Sequence, residues 1–227
     1  MSDFQAHIEA SANANTISIH TEHGALHGQL SVPPNAGGLI ILAHAGTAPD
    51  AHDDALAAVL RHAGMATLVI DLLTHQEERF ADVHHNVSLL AKRLLDCLTL
   101  IKRQMQNTEL PQLPIGLCAA DSTSPVIVRV AALRDHDIAA VATRGGLIDL
   151  AGMLYLRSLT SPLLVLLGET ERTLIASSQR ALQEVSCTKA LAIIPNTGSE
   201  FDSAAAFDAA AEKIVSWFGA YCQTPPQ

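Results

Sequence analysis

Six largely apolar runs recur along the chain, and segments with helical spacing lie between most of them. The runs occupy residues 39–43, 66–70, 113–119, 138–143, 163–167 and 191–194. A run that is apolar at nearly every position predicts a strand buried on both faces, as in a parallel sheet. Parallel strands need helical crossovers. The alternation therefore predicts an α/β fold, with helices on both faces of a mostly parallel sheet.

Two further strands are predicted before these runs. Residues 16–20 and 25–32 flank the dipeptide His23-Gly24, a spacing typical of a β-hairpin. We therefore expect an eight-stranded sheet in a single domain. The domain is predicted at residues 16–222, after a polar N-terminal segment at 1–15 and before a C-terminal tail at 223–227.

Composition excludes several classes of protein. The 227 residues are 48% hydrophobic and 16% charged, which is too apolar for a disordered chain. The net charge of −9 comes from scattered acidic residues, so we expect no nucleic-acid partner. The first 15 residues lack the basic and apolar regions of a signal peptide, and no apolar stretch reaches the roughly 18 residues of a membrane span. We expect a cytoplasmic protein that does not bind membranes.

Cysteines and histidines give no metal signature. Cys97, Cys118, Cys187 and Cys222 lack C-x-x-C spacing, so we expect reduced thiols. Of eleven histidines, the pair most like a metal motif is His23 and His27, four residues apart, but the neighbouring glycines favour the hairpin. No metal and no cofactor is expected.

One strand–turn–helix segment carries the strongest functional signal. Residues 113–119 form an apolar run, which is followed by small residues and then by a predicted helix. This is the outline of a nucleophile elbow, which is usually written G-x-S-x-G. Positions 119–123 read Ala-Ala-Asp-Ser-Thr, so Asp121 stands where a serine is expected. A register shifted by one residue would place Ser122 at the apex instead.

Taken in order, several segments resemble the α/β-hydrolase superfamily, specifically its small dienelactone-hydrolase-like branch. The segments are 39–46, 66–74, 113–117, 143–146 and 149–152. The likeness runs from about Leu39 to Phe218. It implies an α/β-hydrolase fold with a minimal lid, and a Ser/Cys-His-Asp triad whose members follow separate strands.

The resemblance carries the triad onto three residues of this chain. The nucleophile falls on Asp121, the acid on Glu171 and the histidine on Ser199. A serine hydroxyl attacks only when an imidazole takes its proton, and here the usual nucleophile and the base are both missing. The resemblance therefore implies a degenerate triad that is deficient in ordinary ester hydrolysis.

An aspartate at the elbow is the nucleophile of haloalkane dehalogenases and soluble epoxide hydrolases, which are relatives on this fold. Those enzymes still need a histidine to activate the water that releases the product. His44, which follows the third strand, and His84 or His85, which precede a helix, are candidate substitutes. For all three, a structural role is the favoured interpretation.

Four residues are candidates for ligand binding. His44 and Ala45 lie in the loop where oxyanion-hole residues occur in this fold, and Ser122 adjoins the apex. Arg144 follows the sixth strand and is a candidate for holding an anionic ligand. We expect the pocket walls to come from loops 74–85 and 152–160.

Two functions follow from these observations. The first is a small-molecule-binding or regulatory pseudoenzyme. The alternative is an enzyme with altered chemistry, a hydrolase, lyase or isomerase that uses Asp121 and Glu171 in a pocket over the sheet. Expected partners are a small molecule and a second copy or an active homologue, with 154–156 as a candidate exposed contact surface.

Overall fold

The structure is a computed structural model that describes residues 8–11, 14–21, 24–46, 51–134 and 136–222. Nine strands form one sheet in the order β1-β2-β3-β5-β4-β6-β7-β8-β9. The strands are β1 (Ile8–Ser11), β2 (Ala14–Thr21), β3 (Gly24–Ser31), β4 (Leu39–His44), β5 (Ala66–Asp71), β6 (Ile115–Ala120), β7 (Ile138–Arg144), β8 (Leu163–Gly168) and β9 (Lys189–Ile194).

The sheet is mixed, with an antiparallel part and a parallel part. Different sequence patterns predict the two parts. The strands from β5 across to β9 are all parallel, as their continuous apolar runs predict. β2 and β3 form the predicted hairpin, with Ser18 opposite His27, and its turn residues 22–23 lie outside the described residues. β1 adds a ninth strand within segment 1–15. Its sequence Ile-Glu-Ala-Ser contains no apolar run that would have predicted it.

Among the described residues, seven helices and two 3₁₀ turns lie between and after the strands. The helices are α1 (Ala51–His62), α2 (Ala81–His84), α3 (Val87–Gln106), α4 (Ser124–Leu133), α5 (Met153–Ser158), α6 (Arg172–Glu184) and α7 (Ala204–Tyr221), with 3₁₀ turns at Asp121–Thr123 and Ile148–Ala151. α2 and α5 lie inside segments predicted as loops, because helices of one turn or so leave no periodic signal. None of the helices described is long and apolar enough to cross a membrane.

The core consists of two layers, one on each face of the sheet. In β4, Leu39 and Ile41 pack with α3, α4 and the segments that follow, whereas Ile40 and Leu42 pack with α1 and α7. Alternate side chains of a strand point to opposite faces, so a strand buried on both faces must be apolar throughout. A Cβ at Gly116 in β6 would lie 2.7 Å from the ring of Phe218 on α7, so this glycine makes room for the ring.

Two predictions about particular side chains have different outcomes. All four cysteines carry free thiols, as predicted, and burial raises the pKa of Cys97 and of Cys118 to about 12. The predicted contact surface at 154–156 is only partly exposed. Leu154 is 74% exposed, but Leu156 is completely buried because it lies on the face of α5 that joins the core.

The segment after β5 is held by a buried ion pair. Arg93 on α3 donates to the backbone oxygen of Leu72 at 2.7 Å and to Oε1 of Glu77 at 2.6 Å. Oε2 of Glu77 accepts from the backbone N–H and the hydroxyl of Thr74 at 3.0 and 2.8 Å. The hydrogen bond from Arg93 is the main reason that the pKa of Glu77 falls to about 2. This network fixes the segment against α3.

We expect Glu77→Gln to lower the free energy of unfolding at pH 7 by about 3 kcal/mol, because Arg93 then keeps a buried charge without its carboxylate. The pKa of Glu77 is lower in the folded chain than the ordinary value of 4.5. The stabilisation is therefore present above about pH 4.5 and fades as the pH falls toward 2. Urea unfolding at pH 7 and at pH 3 measures both effects.

Glu184→Gln is the matched control. Glu184 pairs with Arg157 at the surface, where the two side chains are 34% and 65% exposed. We expect this change to cost less than about 1 kcal/mol. Equal losses in the two variants would contradict the role given to the buried pair.

Candidate functional site

The chain turns sharply where β6 meets α4. Asp121 is the first residue of the 3₁₀ turn, and its φ is +45°. Residues with a side chain rarely adopt this left-handed conformation, which costs roughly 1–3 kcal/mol unless the surroundings impose it. The positive φ falls on Asp121 and not on Ser122, so Asp121 is the apex of the turn. Its side chain is exposed.

Two glycines at the end of β7 let the neighbouring segments approach the apex. Gly145 and Gly146 have φ values of +68° and +77°. A Cβ on Gly146 would overlap the backbone oxygen of Asp121, and one on Gly145 would lie 2.7 Å from Oδ1 of Asp121. Ser124 at the start of α4 donates its hydroxyl to the Gly145 oxygen at 3.0 Å. Larger residues at 145 and 146 would push the turn away from β7.

Ser199 faces Asp121 across Gly145. The position of a Cβ on Gly145 is 2.9 Å from Cβ of Ser199 and 3.3 Å from its Oγ. The Oγ atom is buried and makes no hydrogen bond to a described residue. The elbow and the loop after β9 therefore bring a carboxylate and a serine hydroxyl to the same glycine.

Glu171 follows β8 and directly precedes α6. Its Oε1 is 3.2 Å from the position of a Cβ on Gly198, the residue before Ser199. The two loops are joined by a hydrogen bond from the backbone N–H of Thr170 to the oxygen of Thr197 at 3.1 Å. Glu171 thus lies beside the segment that carries Ser199.

No imidazole follows β9, since His136 is the last histidine in the sequence. The three histidines proposed as substitutes lie at the ends of β4 and α2, and His44 is at the same end of the sheet as Asp121 because β4 pairs with β6. Nδ1 of His44 is 3.9 Å from Oδ1 of Asp71. The ring nitrogens of His84 contact the backbone oxygens of Ala45 and Glu78, and His85 is exposed at the end of α2.

The loop after β4 is held by the end of β5. Oδ1 of Asp71 accepts from the backbone N–H of Gly46 at 2.9 Å and from that of Leu73 at 2.8 Å. Ala45 and Gly46 directly follow the last residue of β4. They leave the same end of the sheet as Asp121, because β4 pairs in parallel with β6.

The guanidinium of Arg144 pairs with a carboxylate on α1. It forms an ion pair with Asp53, and both side chains are almost fully buried. The structure places the guanidinium of Arg144 on the buried carboxylate of Asp53, and the binding of an anionic ligand by Arg144 stays a prediction. Burial raises the pKa of neighbouring Cys118 more than Arg144 lowers it. Sequence reasoning missed this pair because Asp53 is 91 residues away.

No family model matches the sequence. Two curated proteins from Mycobacterium tuberculosis, strains CDC 1551 and H37Rv, are each 31% identical to it over 194 residues. Both carry the provisional name phosphoribosyl transferase. The match covers 84% of this chain and 43% of each relative, so the chain spans less than half the length of these proteins.

Solved structures decide the fold. Dienelactone hydrolase from Anabaena variabilis superposes with a TM-score of 0.85 and 29% identity, over 96% of this chain and 100% of that one. Acetyl xylan esterase from Paenibacillus sp. R4 superposes with a TM-score of 0.70 and 12% identity, over 97% and 90% of the two chains. The chain has the α/β-hydrolase fold. The turn at Asp121 has the form of the nucleophile elbow of the α/β-hydrolase fold.

We expect Gly146→Ala to destabilise the protein by more than 2 kcal/mol, because the added Cβ combines an unfavourable φ with an overlap on the backbone of Asp121. Gly64→Ala is the matched control. Gly64 has a φ of +80° but nothing within 4 Å of an added Cβ, so only the backbone strain of about 1 kcal/mol applies. Thermal unfolding of the two variants compares the costs. An equal loss of stability in the two variants would show that the backbone at Asp121 moves to accommodate the added Cβ at little energetic cost.

Proposed function

We propose that this chain binds a small molecule at the elbow and is deficient in ordinary ester hydrolysis. The observation that carries the proposal is the pairing at Gly145, where the elbow carries Asp121 and the residue facing it is Ser199. Acyl transfer by this fold needs a nucleophile in contact with a base that returns the proton to the leaving group. Neither role is filled by the residues that meet there.

The strained apex supports ligand binding over a purely structural role. A left-handed backbone at a residue with a side chain persists only when its surroundings impose it, and such residues cluster at binding and active sites. Here the strained residue, Asp121, directly follows β6, so its exposed side chain lies at the carboxyl end of the parallel strands. Ligands of open α/β sheets bind at that end.

A second candidate is an enzyme with altered chemistry. Asp121 and Glu171 both lie beside the loop that carries Ser199, and two carboxylates at one site can act as a general acid and a general base. This candidate predicts turnover that depends on both carboxylates. The mycobacterial relatives are named for phosphoribosyl transfer, but this chain spans less than half of their length. Their name therefore supports neither candidate.

A substrate panel separates the two candidates. We expect the wild type to hydrolyse short p-nitrophenyl esters, lactones and haloalkanes no faster than Asp121→Asn does, because the sequence has no histidine after β9, where this fold places its base. The dienelactone hydrolase from Anabaena variabilis, assayed on the same panel, controls for the conditions. Turnover by the wild type that Asp121→Asn abolishes would overturn the proposal and make Asp121 catalytic.

Restoring a triad tests the assignment of the two positions. We expect Asp121→Ser/Ser199→His to hydrolyse p-nitrophenyl acetate at least about 100-fold faster than Asp121→Ala/Ser199→His, because a hydroxyl and an imidazole would then meet at Gly145. Both variants carry the same change at 199, so the comparison isolates the nucleophile. Equal rates would show that positions 121 and 199 do not correspond to nucleophile and base.

Ligand binding has its own test. A library of small molecules is screened by thermal shift against the wild type, Asp121→Asn and Ser199→Ala. We expect compounds that raise the melting temperature of the wild type and lose that effect in Asp121→Asn. If stabilising compounds act equally on all three proteins, they bind elsewhere and the elbow is not the binding site.

A further inference from the structure

His84, the last residue of α2, directs both ring nitrogens at backbone carbonyl oxygens. Nδ1 is 2.9 Å from the oxygen of Ala45, and Nε2 is 2.8 Å from the oxygen of Glu78. A carbonyl oxygen only accepts hydrogen bonds, so both nitrogens must donate. Neutral histidine carries one N–H, whereas the imidazolium cation carries two. The geometry is therefore that of the cation.

The charges around the ring also favour the cation. Asp71 at the end of β5 and Glu78 in the segment before α2 are the acidic groups that act on it. His44 at the end of β4 lies on Asp71, and Glu77 in the same segment is neutralised by Arg93. The hydrogen bonds to Glu78 and to Ala45 are the largest causes that raise the pKa of His84 above 6.5, and partial burial opposes them.

The ring also packs against the loop after β4. Gly46 has a φ of +69°, and a Cβ there would overlap Cε1 of His84. The backbone N–H of the same glycine donates to Asp71 at 2.9 Å. Two successive residues of the loop are thus held from outside the loop, Ala45 through its oxygen by His84 and Gly46 through its N–H by Asp71.

We propose that His84 is a positioning residue, held as an imidazolium cation, that fixes the loop after β4 at the elbow end of the sheet. Ala45 and Gly46, the first two residues of that loop, are held while His84 is charged. When His84 loses a proton, one of the two carbonyl oxygens loses its donor and the loop loosens. The inference rests on the contacts of His84 and does not depend on whether the site binds a ligand or turns over a substrate.

The direction of the pH dependence follows from linkage. A group whose pKa is higher in the folded chain stabilises the fold fully below its unfolded value, near 6.5, and loses that effect as the pH rises through the folded value. Ala45 and Gly46 are therefore expected to be held below pH 6.5 and to loosen as the pH rises through the folded pKa of His84.

Imidazole ¹⁵N spectroscopy of the wild-type chain tests the charge directly. Between pH 5.5 and 8.5, we expect both ring nitrogens of His84 to keep imidazolium shifts at pH values above 6.5, the ordinary pKa of histidine. His84→Gln and His85→Gln assign the signals. If His84 is a neutral tautomer at pH 6.5, the proposal is wrong, and this measurement on the wild type does not depend on the stability of any variant.

Hydrogen exchange at the Gly46 amide tests the positioning role. At pH 6.5, we expect His84→Gln to lower the protection of this amide about fivefold, the effect of one lost hydrogen bond, and His85→Gln to leave it unchanged. After correction for intrinsic exchange, wild-type protection should fall with rising pH and that of His84→Gln should not. Unchanged protection in His84→Gln would show that the ring merely fills space and would overturn the proposal.

Discussion

The close approach of the elbow to the end of β7 is the contact on which the site depends. Gly145 and Gly146 adopt left-handed conformations and carry no Cβ, so the backbone of Asp121 packs directly against them. That contact supports Asp121 at a φ of +45° and places Ser199 and the Asp121 carboxylate beside the same glycine. The elbow and the loop that carries Ser199 pack against the glycine pair at the end of β7, and this packing offsets the backbone strain at Asp121. The hydroxyl of Ser124 stabilises the contact by donating a hydrogen bond to the oxygen of Gly145.

Two buried charge networks hold the segments around this contact. Arg144 leaves β7 directly before the glycines and is fixed by Asp53 in the first turn of α1. Arg93 fixes the segment after β5, from which α2 and His84 follow. Buried ion pairs of this kind contribute little net stability, but breaking one leaves an uncompensated charge. They therefore restrict how far the loops at this end of the sheet can move.

The sequence predicted the elements whose signal is local. β4 is apolar throughout because Leu39 and Ile40 face opposite layers of the core, and the elbow is recognisable because strand, small residues and helix are contiguous. β1, α2 and α5 were missed because they are short or lack an apolar pattern. The pair of Arg144 with Asp53 and the bond of His84 to Ala45 join residues 91 and 39 positions apart. Such contacts depend on tertiary packing, which no local pattern encodes.

Electrostatics at the elbow give a further argument for the proposal that this chain is deficient in ordinary ester hydrolysis. In a serine hydrolase, the donors around the elbow remain available for the negative charge that develops on the substrate oxygen. An aspartate carboxylate at the apex places a permanent negative charge beside that position, close to the N-terminal turn that precedes α4. A developing oxyanion would then form next to a like charge, and the repulsion between the two opposes the transition state. On the proposed function, aspartate at position 121 thus supplies no hydroxyl nucleophile and also opposes the transition state of acyl transfer.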